Sequence, residues 1–495
     1  MRPPSIRANS AARPRLRLTE LALLGLVLAG FGIFVARHAT IAPAGADASG
    51  YFNLARTLLH AQSHALPRTI EGLPMATLPP FVYCPLGFVP DTVAGHITPT
   101  YPPGLSLLFA IASLCGWSAG PLLVMALHAG AGLAIAYALV RQTGLSTPWA
   151  WLGVLVLGSS PLYLAYAVQA MSDLPALVWC SLALWLASRD GRRSAAACGL
   201  AFGMAVLLRP TNALLAAPLA LVLGRPSGRW IWFAAGTLPA ALGFGALNYF
   251  SFGSVLTTGY GNIGEYLSRQ WLSASLGHYL RWLPVALSPL FLCALAAPFN
   301  TRRFGRTLAA HALWVLLIAG FYSFYYFTHR EWWYLRFLLP AFPSLILLAL
   351  AGGEAIAAHI THRAVRASLW LATALLVLVP APRYWSELDI AGIGAAGGNF
   401  TELCATVAAT VPPNGVVLCL EGSGALYFST HYCIVRWDTM DDAWPRLRDG
   451  ARLANRPIFA ALLSFEDKDR FQRLAPGNWQ PVAHRGLTTI WQLTP

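Results

Sequence analysis

The chain is short of charge. Only 11% of its 495 residues are Asp, Glu, Lys or Arg, where a soluble domain carries roughly 25%. Lysine is almost missing, since Lys468 is the single one, and the basic residues are otherwise arginine. Acidic residues number 20 against 34 basic ones, a formal net charge of +14. On a soluble chain that excess would point to nucleic acid. Here the arginines gather between apolar runs, as positive-inside topology requires, so no nucleic-acid partner is read. Membrane lipid headgroups and phosphate-bearing substrates fit them instead. The eight cysteines have no metal-ligand spacing. The loops around Asp47 and Asp173 carry no Asp-x-Asp pair. A divalent metal is therefore not indicated, although two carboxylates from separate loops do not forbid one, and no cofactor is required. No internal repeat is seen, which counts against a repeat-built transporter.

What the chain does have is apolar length. Hydrophobic residues make up 56%, and the mean hydropathy is +0.55. Continuous apolar runs of about 20 residues match a hydrocarbon core of roughly 30 Å. Backbone without water must satisfy itself, and continuous rather than alternating runs mean helices. The fold class expected is an α-helical polytopic membrane protein with a small C-terminal α/β domain.

Arginine placement sets the register. Residues 1–19 form a basic cytoplasmic arm, and Leu21–Ala36 is an uncleaved anchor rather than a secretory signal. Eleven spans follow from Leu21–Ala36, Pro121–Val140, Trp149–Tyr166, Ala176–Ala187, Ala195–Leu208, Ala213–Leu223, Trp230–Tyr249, Leu283–Phe299, Leu308–Phe327, Phe337–Ala358 and Leu369–Pro380. Leu105–Trp117 is short, and charge bias makes it re-entrant or interfacial. The transmembrane part is thus 20–382, with a long external loop at 38–101. Tyr51, Leu54, Ala55, Leu58 and Leu59 recur at helical spacing, so that loop should hold an amphipathic helix on the membrane surface. Residues 383–495 read as an external α/β domain: a helix at Thr401–Thr410, and strands at Val416–Glu421, Ile458–Leu463 and Thr488–Leu493. A disulfide among Cys404, Cys419 and Cys433 stays open.

On the expected outer face, ionisable groups converge from separate loops: Asp47, Asp173, Arg209, Arg330, Glu331 and Arg336. Such groups at membrane depth are costly, and are paired or functional unless they simply face water. Asp47 is placed for proton transfer from a hydroxyl. Asp173 is a second candidate carboxylate, to orient an acceptor or help hold a cation. Arg209 and Arg336, with Arg330, are candidates for a phosphate. Tyr51, Tyr101 and Tyr260 offer faces to a sugar, and Glu331 is a further substrate contact. Trp332 and Trp333 read as an aromatic belt.

The order of an acidic first external loop, "YPPG", "SSPLYLAYAVQAMSDLPA", "GMAVLLRPTNALL", "NYFSFGSVLTTGYG" and "WWYLRFLLPAFPSLILL" resembles the GT-C glycosyltransferase superfamily. The nearest groups are the bacterial relatives of protein O-mannosyltransferases and lipid A aminoarabinose transferases. The resemblance covers about residues 15–350. It implies a polyprenyl-phosphate sugar donor, a lipid, glycan or protein acceptor, and transfer at the periplasmic face of a bacterial inner membrane. It also implies that Asp47 is the first-loop catalytic acid, Asp173 the second-loop acidic position and Arg336 a basic residue near the donor phosphate. Ala48 follows Asp47 where the family often has a second acid. The competing function is a transporter or flippase of a lipid-linked glycan, with no chemistry; a structural subunit of an envelope complex is a third.

Overall fold

The computed structural model describes residues 18–494 apart from 61–64, 69, 71, 74, 226–227 and 301–302. Most of the expected basic arm therefore lies outside the described residues. The chain opens with α1 (Leu18–His38), α2 (Gly45–Leu59), α3 (Pro103–Ala112), α4 (Ala119–Gln142), α5 (Thr147–Ser159) and α6 (Pro161–Ala167). The bundle continues through α7 (Asp173–Ala187), α8 (Arg192–Leu208), α9 (Ala216–Leu223), α10 (Gly228–Phe252), α11 (Leu272–Leu287), α12 (Arg306–Ser323), α13 (Phe342–Ala358) and α14 (Arg363–Leu378).

Among the described residues, six helices are long and apolar enough to cross a membrane, or eight if two bent pairs each count once. The chain is a multi-pass membrane protein. Three apolar helices are shorter: Pro103–Cys115, Asp173–Ala187 and Pro210–Leu223. The longest of these covers about 22 Å at 1.5 Å per residue, short of the hydrocarbon thickness.

Both bends have a chemical cause. Pro161 lacks the N–H that would continue α5, and α6 restarts at 64° with Ser160 as its cap. Ser288 takes a positive φ of 58° ahead of Pro289, so α11 turns through 98° into a 3₁₀ segment at Pro289–Phe299.

The last part adds α15 (Ala381–Glu387), α16 (Ile390–Thr410), α17 (Ser423–Ser429), α18 (Trp444–Leu453) and α19 (Lys468–Leu474). The long loop holds a three-stranded sheet of β1 (Leu66–Pro67), β2 (Phe88–Pro90) and β3 (His96–Pro99). The C-terminal strands are β4 (Val416–Leu418), β5 (Cys433–Val435), β6 (Ile458–Leu463), β7 (Asn478–Arg485) and β8 (Thr488–Thr494). They form one sheet in the order β5-β4-β6-β8-β7, parallel across β5-β4-β6 and antiparallel beyond. All six residues of β6 are buried, which is what a strand covered on both faces requires. Val416, Leu418, Ile458 and Ala460 pack with Trp444, Leu447 and Phe471 on one face. Val417, Phe459 and Ala461 pack with Leu403 and Val407 on the other.

Two expectations change, and the open disulfide question closes. The loop helix α2 does not lie on the membrane surface. Ala48 to Ala55 are buried without a break, because α3 covers one side and α17 the other. Asn53 Nδ2 donates to the Gly424 carbonyl at 3.0 Å, and Arg56 Nη1 to the Phe428 carbonyl at 2.6 Å. The helix expected at Thr401–Thr410 begins eleven residues earlier, at Ile390, capped by Asp389. No disulfide forms, since all eight cysteines are free. Cys419 and Cys433 belong to clusters on opposite faces of the sheet.

Candidate active site

The α2 helix begins at Gly45, so Asp47 falls in its first turn and Tyr51 one turn on. Tyr101 comes from the turn after β3. Gly50 makes room for it: a Cβ there would sit 2.2 Å from the Tyr101 ring. Gly259 does the same for the α10–α11 loop, where a Cβ would meet the Thr100 carbonyl at 2.3 Å. That close approach brings Tyr260 to Tyr101, with ring centroids 6.0 Å apart. Pro210 ends the α8 helix just after Arg209. The 3₁₀ turn Trp332–Ala341 directs Arg336 and Phe337 to the same place.

These segments enclose a cavity of about 400 Å³. Its charge consists of two carboxylates and two guanidinium groups, already matched. Arg336 Nη1 donates to Asp47 Oδ2 at 3.2 Å, and Arg209 Nη1 donates to Asp173 Oδ1. The pairs differ in access. The Asp47 side chain is 29% exposed, and that of Asp173 is 1%. Asp47 is the carboxylate that a substrate can reach, and Asp173 is the one that fixes Arg209. Arg336 Nε is buried with no hydrogen-bond partner. A buried guanidinium N–H of that kind is an uncommitted donor for an anion.

The remaining wall is aromatic and hydroxylic. Tyr51 donates to Ser172 Oγ at 2.9 Å and packs on Tyr101 at 5.2 Å between centroids. Tyr322 and Thr211 share a hydrogen bond of 2.9 Å. Burial, reinforced by the Asp47 charge, pushes the Tyr51 and Tyr101 hydroxyls above their ordinary range, and burial does the same to Tyr260. All three hydroxyls are therefore held in the protonated, hydrogen-bond-donating form.

Seven of the nine residues singled out in the sequence line this cavity: Asp47, Asp173, Arg209, Arg336, Tyr51, Tyr101 and Tyr260. Arg330 and Glu331 do not. Both are exposed, with Arg330 stacked over Tyr326 at 4.2 Å and Glu331 preceding the 3₁₀ turn. The sequence reading passed over Tyr322, Tyr325, Tyr334 and Phe337, which also line the cavity. The signal was the run Phe321-Tyr322-Ser323-Phe324-Tyr325-Tyr326-Phe327, too rich in tyrosine for a lipid-facing span end. Among the described residues, no three His, Cys, Asp or Glu gather as metal ligands.

A polytopic helical bundle with a polar, aromatic cavity closed by a long first loop defines a class, and the fold is that of the GT-C glycosyltransferases. ArnT from Cupriavidus metallidurans bound to undecaprenyl phosphate is similar over 96% of this chain and 98% of its own, with a TM-score of 0.60 at 14% identity. The apo ArnT structure gives 0.56 at 15%, over 95% and 97%. The oligosaccharyltransferase AglB from Archaeoglobus fulgidus, in complex with an inhibitory peptide and a dolichol-phosphate, gives 0.52 at 12%, over 90% of this chain and 70% of its own. No family model and no curated protein matches the sequence.

Proposed function

We propose that the chain is a glycosyltransferase using a polyprenyl-phosphate sugar, with transfer at the periplasmic face of a bacterial inner membrane. The observation that carries this reading is the meeting of a substrate-accessible carboxylate, Asp47, with two guanidinium groups in one tyrosine-lined cavity. The ArnT and AglB structures hold polyprenyl-type lipid phosphates, which supports the same donor class here.

In this mechanism the donor phosphate lies against Arg336 and Arg209. Asp47 takes the proton of an acceptor hydroxyl as the oxygen attacks the anomeric carbon in line. The bond between that carbon and the phosphate oxygen breaks, its electron pair goes to the phosphate, and the sugar inverts. The arginines stabilise the charge that develops on the leaving phosphate. Asp173 acts through Arg209 as a positioning residue. The acceptor is a lipid, glycan or protein, and the C-terminal domain, held against α2 through α17, lies on its side of the membrane. Eleven crossings, with the N-terminus in the cytoplasm, complete this topology.

The test is purified protein with a labelled polyprenyl-phosphate sugar and an envelope extract as acceptor source. Sugar transfer with release of free lipid phosphate is expected. Movement of intact donor across proteoliposomes without cleavage would support the flippase reading instead.

A further inference from the structure

The α13 helix leads away from the active-site cavity. It starts five residues after Phe337 and runs for 17 residues, about 25 Å. At its far end lies another cavity, of about 550 Å³. Asn300, Arg303, Glu354 and Arg366 give it a polar wall. Arg303 is committed: it holds both Glu354 oxygens, one at 2.8 Å, and reaches the Thr143 carbonyl at 3.2 Å. Arg366 makes one bond, to the Ile360 carbonyl at 2.6 Å, and its side chain is exposed. Among the described lining residues, Glu354 is matched by Arg303 and Arg366 has no acidic partner.

An apolar cavity of about 220 Å³ adjoins it, and the two share Trp149, Ala357, Arg366 and Trp370. The two form a seam bordered by α5 at Trp149 and Leu152, by the Pro289–Phe299 turn at Leu290 and Cys293, and by α14 at Leu369 and Thr373. The rings of Trp149 and Trp370 touch where the polar end meets the apolar one, with centroids 4.4 Å apart. From Arg366 to Thr373 along α14 is about 10 Å at 1.5 Å per residue, room for the part of an acyl chain next to its headgroup.

We infer that this seam binds an anionic glycerophospholipid of the leaflet opposite the active site. Its phosphate pairs with Arg366 in the polar cavity, and one acyl chain lies along α14. Basic pockets between membrane helices select anionic headgroups, and tryptophans mark the polar–apolar boundary. A soluble phosphate would leave the apolar seam unused, and a zwitterionic phospholipid would bring an ammonium group beside Arg366 and leave the positive charge of the cavity uncompensated. The site takes no part in the proposed sugar transfer, so it stands or falls separately.

Native mass spectrometry of the detergent-purified chain tests it, alongside thermal unfolding with added phosphatidylglycerol or phosphatidylethanolamine. One retained phosphatidylglycerol per chain is expected, with a rise in Tm for that lipid and little for phosphatidylethanolamine. Arg366→Ala should lose the retained lipid and at least tenfold in affinity. Thr373→Trp, which fills the seam and leaves Arg366 in place, should displace it as well. Arg448→Ala, on the C-terminal domain, should change nothing. The inference fails if Arg366→Ala and Thr373→Trp both keep the lipid, if both lipids stabilise equally, or if soluble glycerol phosphate substitutes.

Discussion

Replacing Asp47 by Asn separates chemistry from structure at the proposed base. The substitution keeps the shape of the side chain and an acceptor oxygen toward Arg336. The pair it weakens is a single contact of 3.2 Å on a carboxylate that is 29% exposed. Such a partly solvated pair contributes about 1 kcal/mol or less to folding. A positioned general base is worth about 10²–10⁴-fold in rate, or about 3–5 kcal/mol of barrier at 1.36 kcal/mol per decade. The catalytic effect therefore exceeds the structural one severalfold. The expected result is a fall in kcat of about two to four decades. KM for the donor should change little, and so should Tm. Steady-state transfer of labelled sugar, with unfolding followed on the same preparation, measures all three. Turnover within about tenfold of the parent at unchanged donor KM would remove Asp47 from the base role.

Asp173→Asn should behave in the opposite way. It breaks a pair whose carboxylate is only 1% exposed, and breaking a buried pair costs about 3–5 kcal/mol, so thermal unfolding should fall by more than in Asp47→Asn. Gly424→Ala drives a methyl group to 2.4 Å from the Ser49 side chain and 2.5 Å from the Leu86 carbonyl. It should wedge α17 from α2 and lower kcat without touching the cavity wall, and Gly424→Ser should do so more strongly. Burial pushes the Glu466 carboxyl up to about 7, from 4.5 when unfolded. The folded chain then binds the proton more tightly, so its contribution is present below pH 4.5 and declines as pH rises to about 7. The decline amounts to at most about 3 kcal/mol. Unfolding midpoints across that range should show it in the parent, and Glu466→Gln should flatten it.

The sequence made the cavity legible because its polar residues sit at helix ends, where an apolar chain can least tolerate idle charge. Asp47, Asp173, Arg209 and Arg336 were each conspicuous for that reason. Arg330 and Glu331 looked equivalent to Arg336, being within six residues of it. Only the 3₁₀ turn from Trp332 distinguishes them, carrying Arg336 inward and leaving the other two in solvent. The burial of α2 was not legible, because the groups that cover it arrive more than 360 residues later, at Gly424 and Phe428. β5 and β7 were also missed. Cys433–Val435 is only three residues long, and Asn478–Arg485 is largely exposed and interrupted by a register shift at Pro481. β6 was plain, since a strand buried on both faces is a continuous apolar run.

The most direct test of the central claim is electron cryo-microscopy of the chain with a non-cleavable polyprenyl-phosphate sugar analogue. The account predicts phosphate oxygens within about 2.7–2.9 Å of guanidinium nitrogens of Arg336 and Arg209, with the anomeric carbon turned toward the side of the cavity that holds Asp47. A phosphate seated elsewhere, or a sugar on the far side of the arginines from Asp47, would contradict it.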